Sequence, residues 1–155
     1  MYNIGIEFTE RGKMGFYDLG EPPDPSPTQI LIRTHYSGIT NGTERHALMG
    51  DFGYGGGYPG RHGYQHVAVV EKVGKQVKAF CEGDMVFFGQ YVGHRGWHIV
   101  EVGSDDTASF TSHLCLKLPD ELEHEYCALL GVIGVGMRHV RRIRVSPAQN
   151  VWVVG

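Results

Sequence analysis

Short apolar runs that alternate with polar residues and stop at glycine recur along most of this chain. That pattern constrains the fold more than any other feature. Side chains alternating with a period of two belong to half-buried strands. Glycine, at 23 of 155 residues, supplies the turns and bulges that join them. No internal repeat accompanies the glycine excess, so the expectation is a mainly β fold. The strands are expected at 2–8, 29–36, 64–74, 83–92, 96–103 and 113–118. In "QILIRTHY" the residues Ile30, Ile32 and Thr34 share one face. Residues 20–28, "GEPPDPSPT", carry four prolines and cannot be regular structure, because proline fixes φ and removes a donor.

Two segments break the alternation. In "YSGITNGTERH", residues 36–46, Asn41 with Glu44 three residues on resembles a capping box. It predicts a short helix over 42–49 that ends at Gly50. From 119 to 145 the pattern becomes helical, with Leu122, Tyr126 and Leu129 spaced for one face. Two helices are expected there, separated near Gly131 to Gly134. The last run, "NVWVVG", reads as a buried strand ending at Gly155. Such a strand requires neighbours on both sides.

Composition excludes several classes. A net charge of −3 gives no reason to expect nucleic acid as a partner. No apolar run reaches bilayer length, and no secretory signal opens the chain, so a cytoplasmic location without membrane contact is expected. Cys81, Cys115 and Cys127 are odd in number and far apart, which predicts buried hydrophobes rather than disulfides or a zinc knuckle. Asp105 and Asp106 read as turn formers. The basic cluster 138–144 suits a helix C-terminus. "YGGGYPG" lacks the lysine of a phosphate loop and reads as a surface loop.

Four segments, taken in order, resemble the medium-chain dehydrogenase/reductase superfamily, the zinc-type alcohol dehydrogenase and quinone oxidoreductase fold. "YSGITNGTERH" is similar to its G-I-C-x-T-D-x-H loop. "GYQHVAVVEKVGKQVKAFCEGDMVF" is similar to G-H-E-x-x-G-x-V-x-x-V-G…F-x-x-G-D-x-V. "LCLKLPDELEHEYCALLG" resembles the stretch that leads into the helix pair. "SPAQNVWVVG" resembles the P-G-x-x-V-x-V-x-G entry into the nucleotide-binding domain.

The resemblance implies an architecture. Residues 1–120 would be a chaperonin-10 (GroES)-like, partly open catalytic barrel. Residues 121–149 would be linking helices. Residues 150–155 would be the first strand of a truncated Rossmann domain, with Gly155 the first cofactor-binding glycine. It also implies NAD or NADP as cofactor, a small alcohol or carbonyl substrate (or an enone) and a homodimer in the full-length form.

The family's zinc ligands are not carried over. The loop cysteine falls at Asn41 or Thr40, the G-H-E pair at Tyr64 and Gln65, and the later cysteine at Val132. None is a ligand of the matching type, so zinc is not expected and a zinc-independent branch is implied. By resemblance Thr43 and His46 would form the proton relay, with Tyr64 as a further proton donor. Thr43, Tyr64 and Asn41 would stabilise an oxyanion, and Asn41, Gln65 and Val132 would line the substrate site. Two other readings stand beside this one. The chain is a stand-alone barrel that binds a ligand or partner without catalysis, or His46, His62 and His66 rebuild a metal site.

Overall fold

The computed structural model describes residues 3–51, 57–104, 114–144, 146 and 148–152. It opens with a hairpin of β1 (Ile4–Glu10) and β2 (Lys13–Asp18). Then come β3 (Gln29–Ser37), α1 (Asn41–Met49), β4 (His66–Val73), β5 (Met85–Phe88), β6 (Trp97–Glu101) and β7 (Cys115–Lys117). Two helices follow, here called α2 (His124–Cys127) and α3 (Leu130–Ile143). Strands β3 to β7 form an antiparallel sheet of order β6-β3-β4-β5-β7. Single bridges tie the hairpin to the loops that lead into β6 and β4, Gly5 to Arg95 and Phe8 to Gly60. The register of β3 on β4 slips at Leu31/Ile32 and again at Thr34/Tyr36. Such irregularities bend and twist a sheet and let this one curl.

The two faces of the central strands are buried against different partners. Ile30, Ile32, Ala68, Val70, Val86, Phe88, Val100 and Cys115 fill the interior of the curl. Val67 and Phe87, one residue out of step, point the other way and pack on Leu118, Cys127 and Ala128. Period-two alternation therefore separates a barrel core from a second cluster that seats α2. The proline-rich residues 20–28 contain no strand or helix, as their missing donors require.

Several expectations need correction. The hairpin strand β2 was not expected, because "KMGFYD" is mostly exposed and carries little periodic signal. Strands 83–92 and 113–118 are reduced to four and three residues. The helix break falls at Ala128–Leu129, and Gly131 and Gly134 lie inside α3. Glycine at 131 serves a close approach: a Cβ there would sit 2.7 Å from Gln65 Oε1. The capping box is also displaced. The N-cap is Thr40, not Asn41, and its hydroxyl makes no cap bond. Instead the Glu44 carboxylate accepts a hydrogen bond from the Thr40 N–H. Gly50 does end α1, with φ of 65°. The turn formers Asp105 and Asp106, the start of the 113–118 run, part of the 54–60 loop, and Val153, Val154 and Gly155 lie outside the described residues.

Candidate functional site

The end of β3, the start of α1, the approach to β4 and the first turn of α3 converge on Gln65. This side chain is fully buried. Its amide N–H donates to Thr40 Oγ1 at 3.2 Å, and its Oε1 accepts from the Val132 N–H at 3.0 Å. Helix α3 has no side-chain cap of its own at Leu129, so Gln65 satisfies one of the orphan donors of its first turn from a distance. Gly38 permits the same convergence. Its N–H donates to the Gln65 carbonyl at 2.9 Å, and a Cβ on it would meet the Ala128 carbonyl oxygen at 2.0 Å.

Thr40 Oγ1 and the Tyr64 hydroxyl are 2.6 Å apart. Since Thr40 also accepts from Gln65, its proton is free to point at Tyr64, or Tyr64 can donate to it. The Tyr64 ring stacks on Tyr91 with centroids 6.0 Å apart and planes at 12°. Tyr91 in turn bonds His62 Nδ1 through its hydroxyl. Burial, and then the Glu44 carboxylate, raise the Tyr91 pKa. Burial chiefly lowers that of His62, which stacks flat on Phe8. The result is a paired hydroxyl held by a buried amide, with an aromatic wall beside it.

The expected site residues are thus distributed unevenly. Tyr64 and Gln65 meet, and Val132 joins them through its backbone N–H rather than its half-exposed side chain. The hydroxyl on Tyr64 belongs to Thr40, one helical turn before Thr43. Thr43 and the exposed Asn41 lie in the first turn of α1. His46 Nδ1 pairs with Asp51 Oδ2 at 2.5 Å beyond the helix end. The three histidines of the rebuilt-metal reading have separate partners: His46 has Asp51, His62 has Tyr91, and His66 faces His98 with ring centroids 4.5 Å apart. Among the described residues no group of three His, Cys, Asp or Glu is placed to hold a metal ion. The donor set at the convergence, two hydroxyls, a carboxamide and a backbone N–H, suits hydrogen bonding to an oxygen and does not suit zinc.

Sequence reasoning missed a buried polar string next to this site. Glu44 is 4% exposed; one oxygen accepts from Thr40 N–H and the other lies 2.7 Å from His94 Nε2. His94 Nδ1 bonds Ser37 Oγ, which lies 3.3 Å from His66 Nδ1. Glu44 was legible only as a helix-cap residue, and nothing in the spacing of "VGHRGWH" shows that His94 turns inward to meet it.

The family described as the alcohol dehydrogenase GroES-like domain matches residues 26–154. Human sorbitol dehydrogenase is 30% identical over 156 aligned residues, covering 86% of this chain and 43% of that protein. Human quinone oxidoreductase is 28% identical, covering 71% and 31%. An alcohol dehydrogenase from Thermus sp. ATN1 superposes with a TM-score of 0.71 at 18% identity, covering 93% of this chain and 48% of that one. The Escherichia coli quinone oxidoreductase complexed with NADPH gives 0.65 at 21%, covering 92% and 41%. The chain spans less than half the length of these relatives. No helix among the described residues is long and apolar enough to cross a membrane. On the family match, and with a curled antiparallel sheet followed by helices, the chain belongs to the GroES-like domain family of the alcohol dehydrogenases, within the medium-chain dehydrogenase/reductase superfamily.

Proposed function

We propose that this domain is the substrate-binding, catalytic part of a zinc-independent, NAD(P)-dependent oxidoreductase acting on a small alcohol, carbonyl or enone. The observation that carries the reading is the 2.6 Å contact between Thr40 Oγ1 and the Tyr64 hydroxyl. These residues stand at two positions where the family resemblance implies zinc ligands, and Gln65 and Val132 stand at two more. A bound nicotinamide supplies or accepts the hydride. The protein's part is to receive the oxygen on which negative charge develops. Tyr64 donates to that oxygen, and Thr40 donates to Tyr64. Gln65 fixes Thr40, leaving the pair oriented before substrate arrives, which is where such donors gain their effect. The nucleotide would be held mainly by chain beyond Gly155, and a homodimer of the full-length protein follows from the same resemblance.

The test uses the full natural chain. NADH and NADPH oxidation are followed with a panel of aldehydes, quinones and enones, and bound zinc is measured by elemental analysis. Turnover without stoichiometric zinc is expected. Tyr64→Phe is expected to lower kcat by about 10²-fold, the effect of removing one oxyanion donor, with little change in KM. Stoichiometric zinc in active protein would overturn the zinc-free mechanism. Full activity in Tyr64→Phe would remove Tyr64 from it.

A further inference from the structure

We propose that Ser37, His94 and Glu44 form a hydroxyl–imidazole–carboxylate relay that makes Ser37 a nucleophile toward short-chain acyl esters. This activity needs no nicotinamide and does not use the Tyr64 hydroxyl.

The three side chains come from separate elements, the end of β3, the loop before β6, and α1. Ser37 Oγ contacts His94 Nδ1, and His94 Nε2 lies 2.7 Å from Glu44 Oε1. Both His94 and Glu44 are more than nine-tenths buried. The tautomer follows from the partners. A carboxylate only accepts, so the His94 proton sits on Nε2, and Nδ1 presents a lone pair to the serine hydroxyl. The second Glu44 oxygen is held by the Thr40 N–H, which keeps the carboxylate in place. A nucleophile bonded to a base that is itself oriented by a third group is the arrangement that activates serine.

Ser37 has an alternative acceptor, the Gln65 carbonyl at 3.3 Å, and a neighbour, His66 Nδ1, also at 3.3 Å. Both are longer contacts than the one to His94. His66 is held neutral by burial, so it can donate to Ser37 Oγ without competing for its proton. The titratable and charged groups around His94 are Glu44 from α1, His62 from the approach to β4, His66 at the first residue of β4, and the adjacent Arg95.

Ser37 and His94 together line a cavity of about 210 Å³, with Ile4, Ile6 and Phe16 from the hairpin and Arg95 at its side. The volume lies below the usual range for drug-sized ligands, roughly 300–1,000 Å³, and the apolar walls suit a short acyl chain. Arg95 lines the same cavity and brings a positive charge to it, the kind of group that stabilises a developing oxyanion. The chemistry balances without a redox partner. The Ser37 O–H proton passes to His94 Nδ1 as the Oγ–acyl carbon bond forms. The ester C–O bond breaks, and the same proton goes to the leaving alkoxide. Water then repeats the sequence, releasing the acid and restoring Ser37.

The test treats the full natural chain, without added nucleotide, with a fluorophosphonate probe and with p-nitrophenyl butyrate. Phosphonylation forms an Oγ–P bond and expels fluoride, and peptide mass spectrometry locates it. One adduct at Ser37 is expected, forming at least about 10²-fold more slowly in His94→Gln, the usual contribution of a general base. Ester hydrolysis is expected to vanish in Ser37→Ala. An adduct elsewhere, no adduct, or an unchanged rate in a folded His94→Gln would overturn the proposal. Should His94→Gln fail to fold, the wild-type pH profile decides. A labelling rate that follows a single imidazole-like titration and then levels supports the relay. A rate that climbs tenfold per pH unit past pH 9 is that of an unassisted serine and refutes it. Loss of nicotinamide-dependent activity in Tyr64→Phe with labelling intact would separate this site from the oxidoreductase site.

Discussion

Replacing Gln65 with methionine tests the claim that one buried carboxamide joins the barrel to α3. Methionine keeps nearly the same volume, so the overpacking and cavity contributions stay small. What it removes is defined by the structure: a donor to Thr40 Oγ1 at 3.2 Å and an acceptor for the Val132 N–H at 3.0 Å. The Val132 N–H is left without a partner beside a fully buried side chain. An orphaned buried donor costs about 1–3 kcal/mol, and a lost neutral hydrogen bond about 0.5–1.5 kcal/mol. Thr40 retains Tyr64, so its loss falls at the lower end. The sum is about 1.5–3.5 kcal/mol, equivalent to a fall in Tm of roughly 3–14 °C for a domain of this size. Urea unfolding of wild type and Gln65→Met, followed by far-UV circular dichroism, measures it as a lower midpoint at unchanged slope. A difference below about 0.5 kcal/mol would mean that Gln65 does not cap α3 and that the two parts of the molecule are joined by apolar contact alone.

The buried pair His66 and His98 makes stability depend on pH: burial lowers their pKa values to about 3 and about 2, aided by the charges of His94 and Arg95 at His66 and of His66 and Arg95 at His98. Because the unfolded side chains titrate near ~6.5, their contribution is complete above that pH and is lost as pH falls through it toward 3. At pH 5 the loss is about 2 kcal/mol per histidine, and urea midpoints at pH 7 and pH 5 will show it, with a shallower slope in His98→Phe. Gly38→Ala drives a Cβ to within 2.0 Å of the Ala128 carbonyl oxygen. It should cost about 3 kcal/mol or more, since backbone rather than a flexible tip must move; a melt within 1 °C of wild type would contradict the close approach. Residues 1–155 expressed alone should associate, because Ile133, Val135, Met137, Val140 and Ile143 of α3 are each more than half exposed and form a large apolar face. A monodisperse monomer in sedimentation velocity would count against this.

The strands other than β2, α1 and the ban on structure in 20–28 were legible in the sequence because they rest on local physics: period-two alternation, proline's missing donor and glycine's access to positive φ. The resemblance placed Tyr64, Gln65 and Val132 in one site, and the fold brings these three together. The sequence could not assign the roles within it. Which hydroxyl reaches Tyr64 depends on where α1 begins. A start one residue earlier than the Asn41 reading makes Thr40 the residue that leaves β3 and turns toward β4. The helix break was misplaced for a related reason. Gly131 looks like an interruption in a one-dimensional pattern, but in three dimensions it is the gap through which Gln65 reaches Val132. Burial of Glu44 and His94, and the contact of His94 with Ser37, was invisible for the same cause. Each residue is ordinary at its own position, and only the packing of α1 against the loop before β6 removes Glu44 and His94 from water together and brings His94 onto Ser37 at the end of β3.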